Sequence, residues 1–198
     1  MNILITSIYY VIIRNYQIAS TLSSITTIVI IAFIYKDYLL SKIKTIKKDF
    51  RPKSFINFII AAIIVIILTN VIYKVTGTTS SNESLVIQFF KEQPIIFGLD
   101  IVIFGPLEEE LIFRLPYKNK YKTISLLISS LIFSAVHIGS LNEIIFIIPY
   151  MILALGIGSN YFKTDNIYIS FFAHALNNAY NVLLLLWWWY ERQEEKKE

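Results

Sequence analysis

Among the strongly polar side chains inside otherwise apolar stretches in the second half of this chain, seven could do chemistry together: Glu108, Glu109, Glu110, His137, His174, Asn177 and Asn178. The glutamates stand together in "PLEEELIFR". A charge at the centre of a bilayer costs about 2.5–3.5 kcal/mol. Three lipid-facing carboxylates would cost on the order of 10 kcal/mol, comparable to the stability of a whole domain. These groups must therefore face protein, water or the interface. Ionisable groups inside a membrane are candidates for chemistry or proton transfer.

Spacing separates their roles. Glu110 and Arg114 are four apart, with the acid on the N-terminal side, which is the favourable order for an ion pair along one helix face. Glu109 points about 100° away from Glu110. Glu110 is thus placed as a structural carboxylate and Glu109 is left free for chemistry. Phe133 and His137 are four apart, so an aromatic ring can pack beside that imidazole. His174 and Asn178 share a face in the same way. Glu108 is out of register and reads as a surface or ion-pair residue, and Asn177 reads as structural.

Depth is a second test. Glu109 and His137 meet in an antiparallel hairpin only if the turn lies near residues 120–123, which predicts a third helix running past Arg114 towards Lys120 despite Pro116. A turn at 115–118 would separate them by about 10–15 Å. His174 lies about 10 Å into its helix, against nearer 20 Å for the other two, a mismatch that tilt or emergence of the third helix must absorb.

The elements that carry these residues read as membrane helices. The chain is 56% hydrophobic, above the roughly 45–50% of soluble domains. The excess is gathered in continuous blocks, which favours helices over the alternating strands of a barrel. The expectation is an all-α, polytopic integral membrane protein of roughly six transmembrane helices, with a buried polar site in the C-terminal ones. The blocks are 18–35, 55–73, 94–113, 123–138, 144–157 and 167–190. The stretch 3–13 is short for a span and either lies at the interface or extends the next helix. The whole chain, 1–198, forms one membrane domain: N-terminal spans and loops at 1–93, the polar core at 94–190 and a soluble tail at 191–198. The basic segments 36–53 and 114–122 are placed in the cytoplasm, and the polar segment 74–93 outside. "WWWY", residues 187–190, reads as an interfacial aromatic belt. The net charge of +4 is an orientation signal, and no nucleic-acid partner is implied. Absence of cysteine excludes disulfides, thiolate metal sites and a cysteine nucleophile. The N-terminus does not read as a cleaved signal peptide.

Three motifs stand in a familiar order. "EELIFR" fits Glu-Glu-x-x-x-Arg, "FSAVH" fits Phe-x-x-x-His and "HALNN" fits His-x-x-x-Asn. Together they resemble the CAAX protease and bacteriocin-processing family of intramembrane proteases, related to the Ras-converting CAAX endopeptidase. The resemblance covers roughly residues 94–186. It departs at Leu115-Pro116, where the family often has glycine after the arginine. The resemblance implies a peptidase with its active site sunk below the membrane surface. Glu109 would activate a water, His137 would orient that water or carry a proton, and His174 with Asn178 would donate to the oxyanion. Glu110, Arg114 and Phe133 would support them.

No cofactor is favoured. The alternative is zinc held by Glu109, His137 and His174 with an open position for water, although the His-Glu-x-x-His helix is absent. The implied partners are the bilayer and a peptide or protein substrate, lipidated or secreted. The small size and the Ile, Lys and Asn bias point to a bacterial plasma membrane, where relatives process peptides or confer bacteriocin immunity. Against the peptidase stand a non-proteolytic immunity factor or scaffold of the same fold, and an ion or proton carrier. A scaffold has no need of the full set Glu109, His137, His174 and Asn178, and a carrier usually spreads its acids over several spans.

Overall fold

The computed structural model describes residues 2–117 and 121–194. Lys118 and Lys120 of the second basic segment, and tail residues 195–198, lie outside the described residues, as do the side chains of Trp188 and Trp189. The described chain is helical, with no strand. The protein is an all-α, multi-pass membrane protein. Four segments are long and apolar enough to cross a bilayer: Tyr16–Ile34, Phe55–Thr76, Leu141–Thr164 and Ile167–Trp187. They belong to α2 (Tyr16–Ile34), α5 (Pro52–Thr76), α10 (Ile147–Thr164, preceded by a 3-10 turn at Leu141–Phe146) and α11 (Ile167–Glu194).

Between these, α3 (Lys36–Ile43) and α4 (Ile46–Asp49) form the first basic connection, and α6 (Ser81–Glu92) lies within the polar one. The block expected at 94–113 is composite: α7 (Pro94–Leu99), a π-helical turn (Asp100–Phe104) and α8 (Gly105–Phe113) run on without a break. The shorter apolar helices are α1 (Asn2–Ile13) and α9 (Lys122–Val136). The stretch 3–13 does not extend the next helix. Arg14 takes a left-handed φ of 57°, and α1 packs back on α2, with Tyr9 Oη 2.9 Å from Thr26 Oγ1. The block read as 144–157 continues to Thr164.

The interior inverts the soluble pattern. Large apolar side chains such as Ile30, Phe33, Ile63, Ile67, Leu131 and Leu183 are exposed, while Thr27, Ser129, Ser130, Ser134, Asn160 and Ser170 are fully buried. Lipid tails are as apolar as leucine, so burying Leu or Ile gains little. Close approach of small residues and interhelical hydrogen bonds hold membrane helices together. Gly156 shows the closeness required. A Cβ there would overlap the Ala61 methyl and lie 3.3 Å from the Asn57 carbonyl oxygen, so this glycine sets how near α10 approaches α5.

Polar groups gather at two ends of the bundle. At one end Lys42 Nζ meets Asp165 Oδ2 at 2.8 Å. There the buried Asn166 side chain donates to Asp49 Oδ2 at 2.8 Å and to the Lys42 carbonyl at 3.0 Å, and accepts from Tyr168 N at 3.1 Å, capping α11. Hydrogen bonds from Thr45 and Asn166 hold the Asp49 carboxyl below its ordinary value. At the other end Glu143 Oε2 accepts from Ser81 Oγ at 2.9 Å, and Ser80 Oγ lies 2.9 Å from Tyr150 Oη.

The α8–α9 connection corrects one expectation. The third helix does not run on to Lys120. It ends at Phe113, and Leu115–Tyr117 forms a 3-10 turn. Pro116 has no N–H for the Ile112 carbonyl and disfavours helix at Leu115. The expected register survives this break. Glu109 pairs with His137, Phe113 with Phe133 and Arg114 with Ser130, pairs that centre on residues 122 and 123. The depth mismatch with His174 also resolves. Leu115 packs in one apolar cluster with Ile167, which places Glu109 and His174 six and seven residues from a common level, about 9–10 Å.

These contacts predict opposite effects for two glycines. Gly156→Val should cost about 1–3 kcal/mol by overpacking, read as a lower midpoint of thermal unfolding in detergent. Gly98→Ala, whose added methyl meets only the Phe90 ring at 3.9 Å, should be neutral or slightly stabilising.

Candidate active site

The spacing of Glu110 and Arg114 produces the ion pair expected of it. Arg114 Nε lies 3.3 Å from Glu110 Oε2, and both side chains are wholly buried. The guanidinium is satisfied on its remaining edges. It donates to Ser129 Oγ at 2.9 Å, to Ser130 Oγ at 3.5 Å and, through Nη2, to the Ala154 carbonyl at 3.1 Å. Its Cζ stands 5.7 Å from the Phe133 ring centroid. Room for it comes from Gly158, where a Cβ would lie 3.0 Å from Arg114 Cζ. One residue at the end of α8 thus ties together α8, α9 and α10.

Glu110 passes this order to α11. Its Oε1 is 3.1 Å from His174 Nδ1. A carboxylate can only accept, so Nδ1 carries the proton and Nε2 is turned the other way. His137, at the C-terminal cap of α9, is oriented by the same device. Its Nδ1 lies 2.7 Å from the Phe133 carbonyl and donates to it. The ring stacks on Phe133 at 4.2 Å, and Tyr150 covers its other side at 5.0 Å.

Both free Nε2 atoms face Glu109. His174 Nε2 is 3.6 Å from Oε2 and His137 Nε2 is 3.8 Å from Oε1. The Glu109 side chain is 31% exposed, against 0% for Glu110. Adjacent carboxylates thus have opposite settings: Glu110 is sealed and spoken for, and Glu109 is open. Such a carboxylate, flanked by two oriented imidazoles, can hold a water and accept its proton.

The remaining expected residues fall as follows. Asn178 is not hydrogen-bonded to this trio. Its Nδ2 donates to the Ile101 carbonyl in the π-turn at 3.0 Å, and its Oδ1 accepts from Asn177 Nδ2 at 3.1 Å. Phe133 is 2% exposed and touches both imidazoles. Glu108 is not a surface residue: it is buried, at 5% exposure, because α2 and α8 pack together. Three contributors escaped the sequence reading: Ser129 and Ser130, which hold Arg114, and Tyr150, which covers His137. Serines at 125, 129, 130 and 134 of α9, about one turn apart on an otherwise apolar helix, were the available signal for the first two. Tyr150 carried none.

Zinc needs nitrogen and oxygen ligands at about 2.0–2.2 Å from one point. Among the described residues no three His, Cys, Asp or Glu groups converge to hold a metal ion.

The burial of Arg114 predicts a sharp asymmetry. Arg114→Gln removes the ion-pair partner of the buried Glu110 and leaves it only the His174 contact, and should destabilise the fold by about 3–5 kcal/mol. Adding Glu110→Gln to it should recover part of that loss, read from unfolding midpoints in detergent.

The family model described as "Type II CAAX prenyl endopeptidase Rce1-like" matches residues 91–180. Neither a curated protein nor a solved structure matches the chain. The matched residues run from the end of α6 into α11 and take in Glu109, Glu110, Arg114, His137 and His174, together with Asn178, which is bonded to the π-turn. Its three motifs stand in order within residues 91–180, and this portion of the chain is similar to the Rce1-like family of type II CAAX prenyl endopeptidases.

Proposed function

We propose that this protein is an intramembrane endopeptidase in which Glu109 activates the hydrolytic water. The observation that carries the proposal is the facing of both imidazole Nε2 atoms onto one accessible carboxylate, with each Nδ1 already anchored. Glu109 takes a proton from water as the hydroxyl oxygen bonds to the scissile carbonyl carbon. His137, held between Phe133 and Tyr150, orients that water through Nε2. His174 donates from Nε2 to the oxyanion when both its nitrogens carry protons, with Nδ1–H held by Glu110, whose carboxylate it shares with Arg114. Asn178 spends one N–H on Ile101 and keeps a second for the same oxyanion. Collapse of the tetrahedral intermediate breaks the C–N bond, and the proton held by Glu109 passes to the leaving amine. The substrate is a membrane-associated protein or peptide, and the setting we assign is a bacterial plasma membrane.

The test is a comparison of peptides released by cells expressing the wild type or Glu109→Gln at matched membrane abundance. Loss of a general base lowers rate by about 10²–10⁴-fold, so a defined set of peptides should disappear. His174→Ala should lower release of the same peptides by about 10²–10³-fold. Chelation of divalent metals should leave release unchanged. Loss on chelation with recovery on adding zinc would instead assign Glu109, His137 and His174 as ligands. Identical peptide sets from wild type and Glu109→Gln would move the reading to a non-proteolytic scaffold or immunity factor of the same fold.

A further inference from the structure

Hydrolysis at Glu109 consumes one water per turnover, so on the peptidase reading the site needs a supply of water through the bundle. One stripe of α2 marks a route. Gln17, Thr21, Ser24, Ile28 and Ile31 recur at helical spacing and share a face. Ile28 and Ile31 pack into the apolar cluster of Leu111 and Leu115, so this face looks onto the composite helix. Its first three members are polar and buried, at 5%, 9% and 5% exposure. The stripe turns from polar to apolar as it comes level with α8, where Glu108 and Glu109 just precede Leu111.

Across from the polar half stands Asp100, the first residue of the π-turn, at 9% exposure. Thr21 lies beside its carboxylate, within electrostatic reach of Glu108 and Glu109. The Thr21 hydroxyl is near enough to bias the Asp100 carboxylate, yet Thr21 Oγ1 and Asp100 Oδ1 are buried without a protein partner at full hydrogen-bond geometry, as is Thr27 Oγ1 further along α2. Small hydroxyl residues also serve close helix packing, but a carboxylate such as Asp100 does not, and its buried oxygen is costly without a partner. Buried oxygens of this kind in a polar recess are the groups that take water. At its outer end the stripe reaches an exposed charge, with Gln17 Nε2 donating to Glu92 Oε2 at 2.6 Å. The π-turn itself is held by Asn178, which satisfies the Ile101 carbonyl.

We infer that the seam between α2 and the π-turn, lined by Gln17, Thr21, Ser24, Asp100 and Glu108, is the path by which water reaches Glu109 from the face that carries Glu92. Its purpose rests on the peptidase reading, but its wetness is a separate physical property and is tested separately.

The chain has no cysteine, so single-cysteine variants report water directly: thiols react as thiolates, which form where water is present. The full chain in lipid nanodiscs carries Thr21→Cys, Ser24→Cys or Asp100→Cys. Ala19→Cys, at 0% exposure on another face of α2, is the dry control, and Val29→Cys, at 61%, is the lipid-facing one. The probe is a membrane-impermeant cationic methanethiosulfonate. The three seam thiols should react about 10-fold or more faster than both controls. Thr21→Cys and Ser24→Cys should also prefer the cationic probe to an anionic one, because Glu92, Asp100 and Glu108 line the seam. In the Ser24→Cys background, Asp100→Leu should slow labelling and Asp100→Asn should preserve it. Seam thiols no more reactive than Ala19→Cys would overturn the inference. Fast seam labelling in a protein whose peptide release ignores Glu109 would keep the wet seam and sink the peptidase reading alone.

Discussion

A fully buried ion pair between Arg114 and Glu110 is the constraint on which the rest of the structure depends. A guanidinium cannot shed its charge in a protein, and hydrocarbon offers it nothing. Every edge must therefore find protein, and the surrounding sequence accommodates that demand. Ser129 and Ser130 supply acceptors from α9, the Ala154 carbonyl supplies one from α10, and Gly158 leaves the volume. In satisfying one arginine the chain fixes the mutual placement of three helices. The carboxylate that balances the charge then reaches the fourth, through His174.

That chain of contacts separates two adjacent acids that differ in nothing but position. Glu110 and Glu109 have the same chemistry and neighbouring places on α8. One is enclosed by Arg114 and His174, and the other turns about 100° away into a partly open space. The enclosed acid sets a tautomer, and the open one faces the nitrogens which that tautomer leaves free. The second histidine reaches the same arrangement without a charged partner, through the carbonyl one turn back on its own helix. Two different anchors thus deliver the same orientation from two helices.

Much of this was legible in the sequence because the signals were local. Four-residue spacing told correctly of Glu110 with Arg114 and of Phe133 beside His137, since a helix face needs no tertiary knowledge. The register between α8 and α9 also followed from the positions of Glu109 and His137. Other features were hidden for a physical reason. Helix α8 stops at Phe113 because Pro116 removes a donor. The register that seemed to need a longer helix is kept by a 3-10 turn and by side chains reaching across. Glu108 reads as a surface or ion-pair residue on its own element, and the structure buries it where α2 packs against α8. The π-turn at Asp100–Phe104 interrupts the apolar pattern by a single acid, Asp100, and its carbonyl at Ile101 is capped by a residue 77 positions away.

The sequence alone thus determined that this is a helical membrane protein, that one acid pairs with the arginine, and which polar side chains are too costly to leave in lipid. Those conclusions rest on hydropathy and helical repeat, which act over a few residues. Only the tertiary structure decided that Glu109, His137 and His174 share one space, that Asn178 serves the π-turn, and that Tyr150 covers His137. These depend on how closely helices approach. In a membrane that distance is set by glycines and serines and the hydrogen bonds they permit, and not by the apolar blocks that identify the helices.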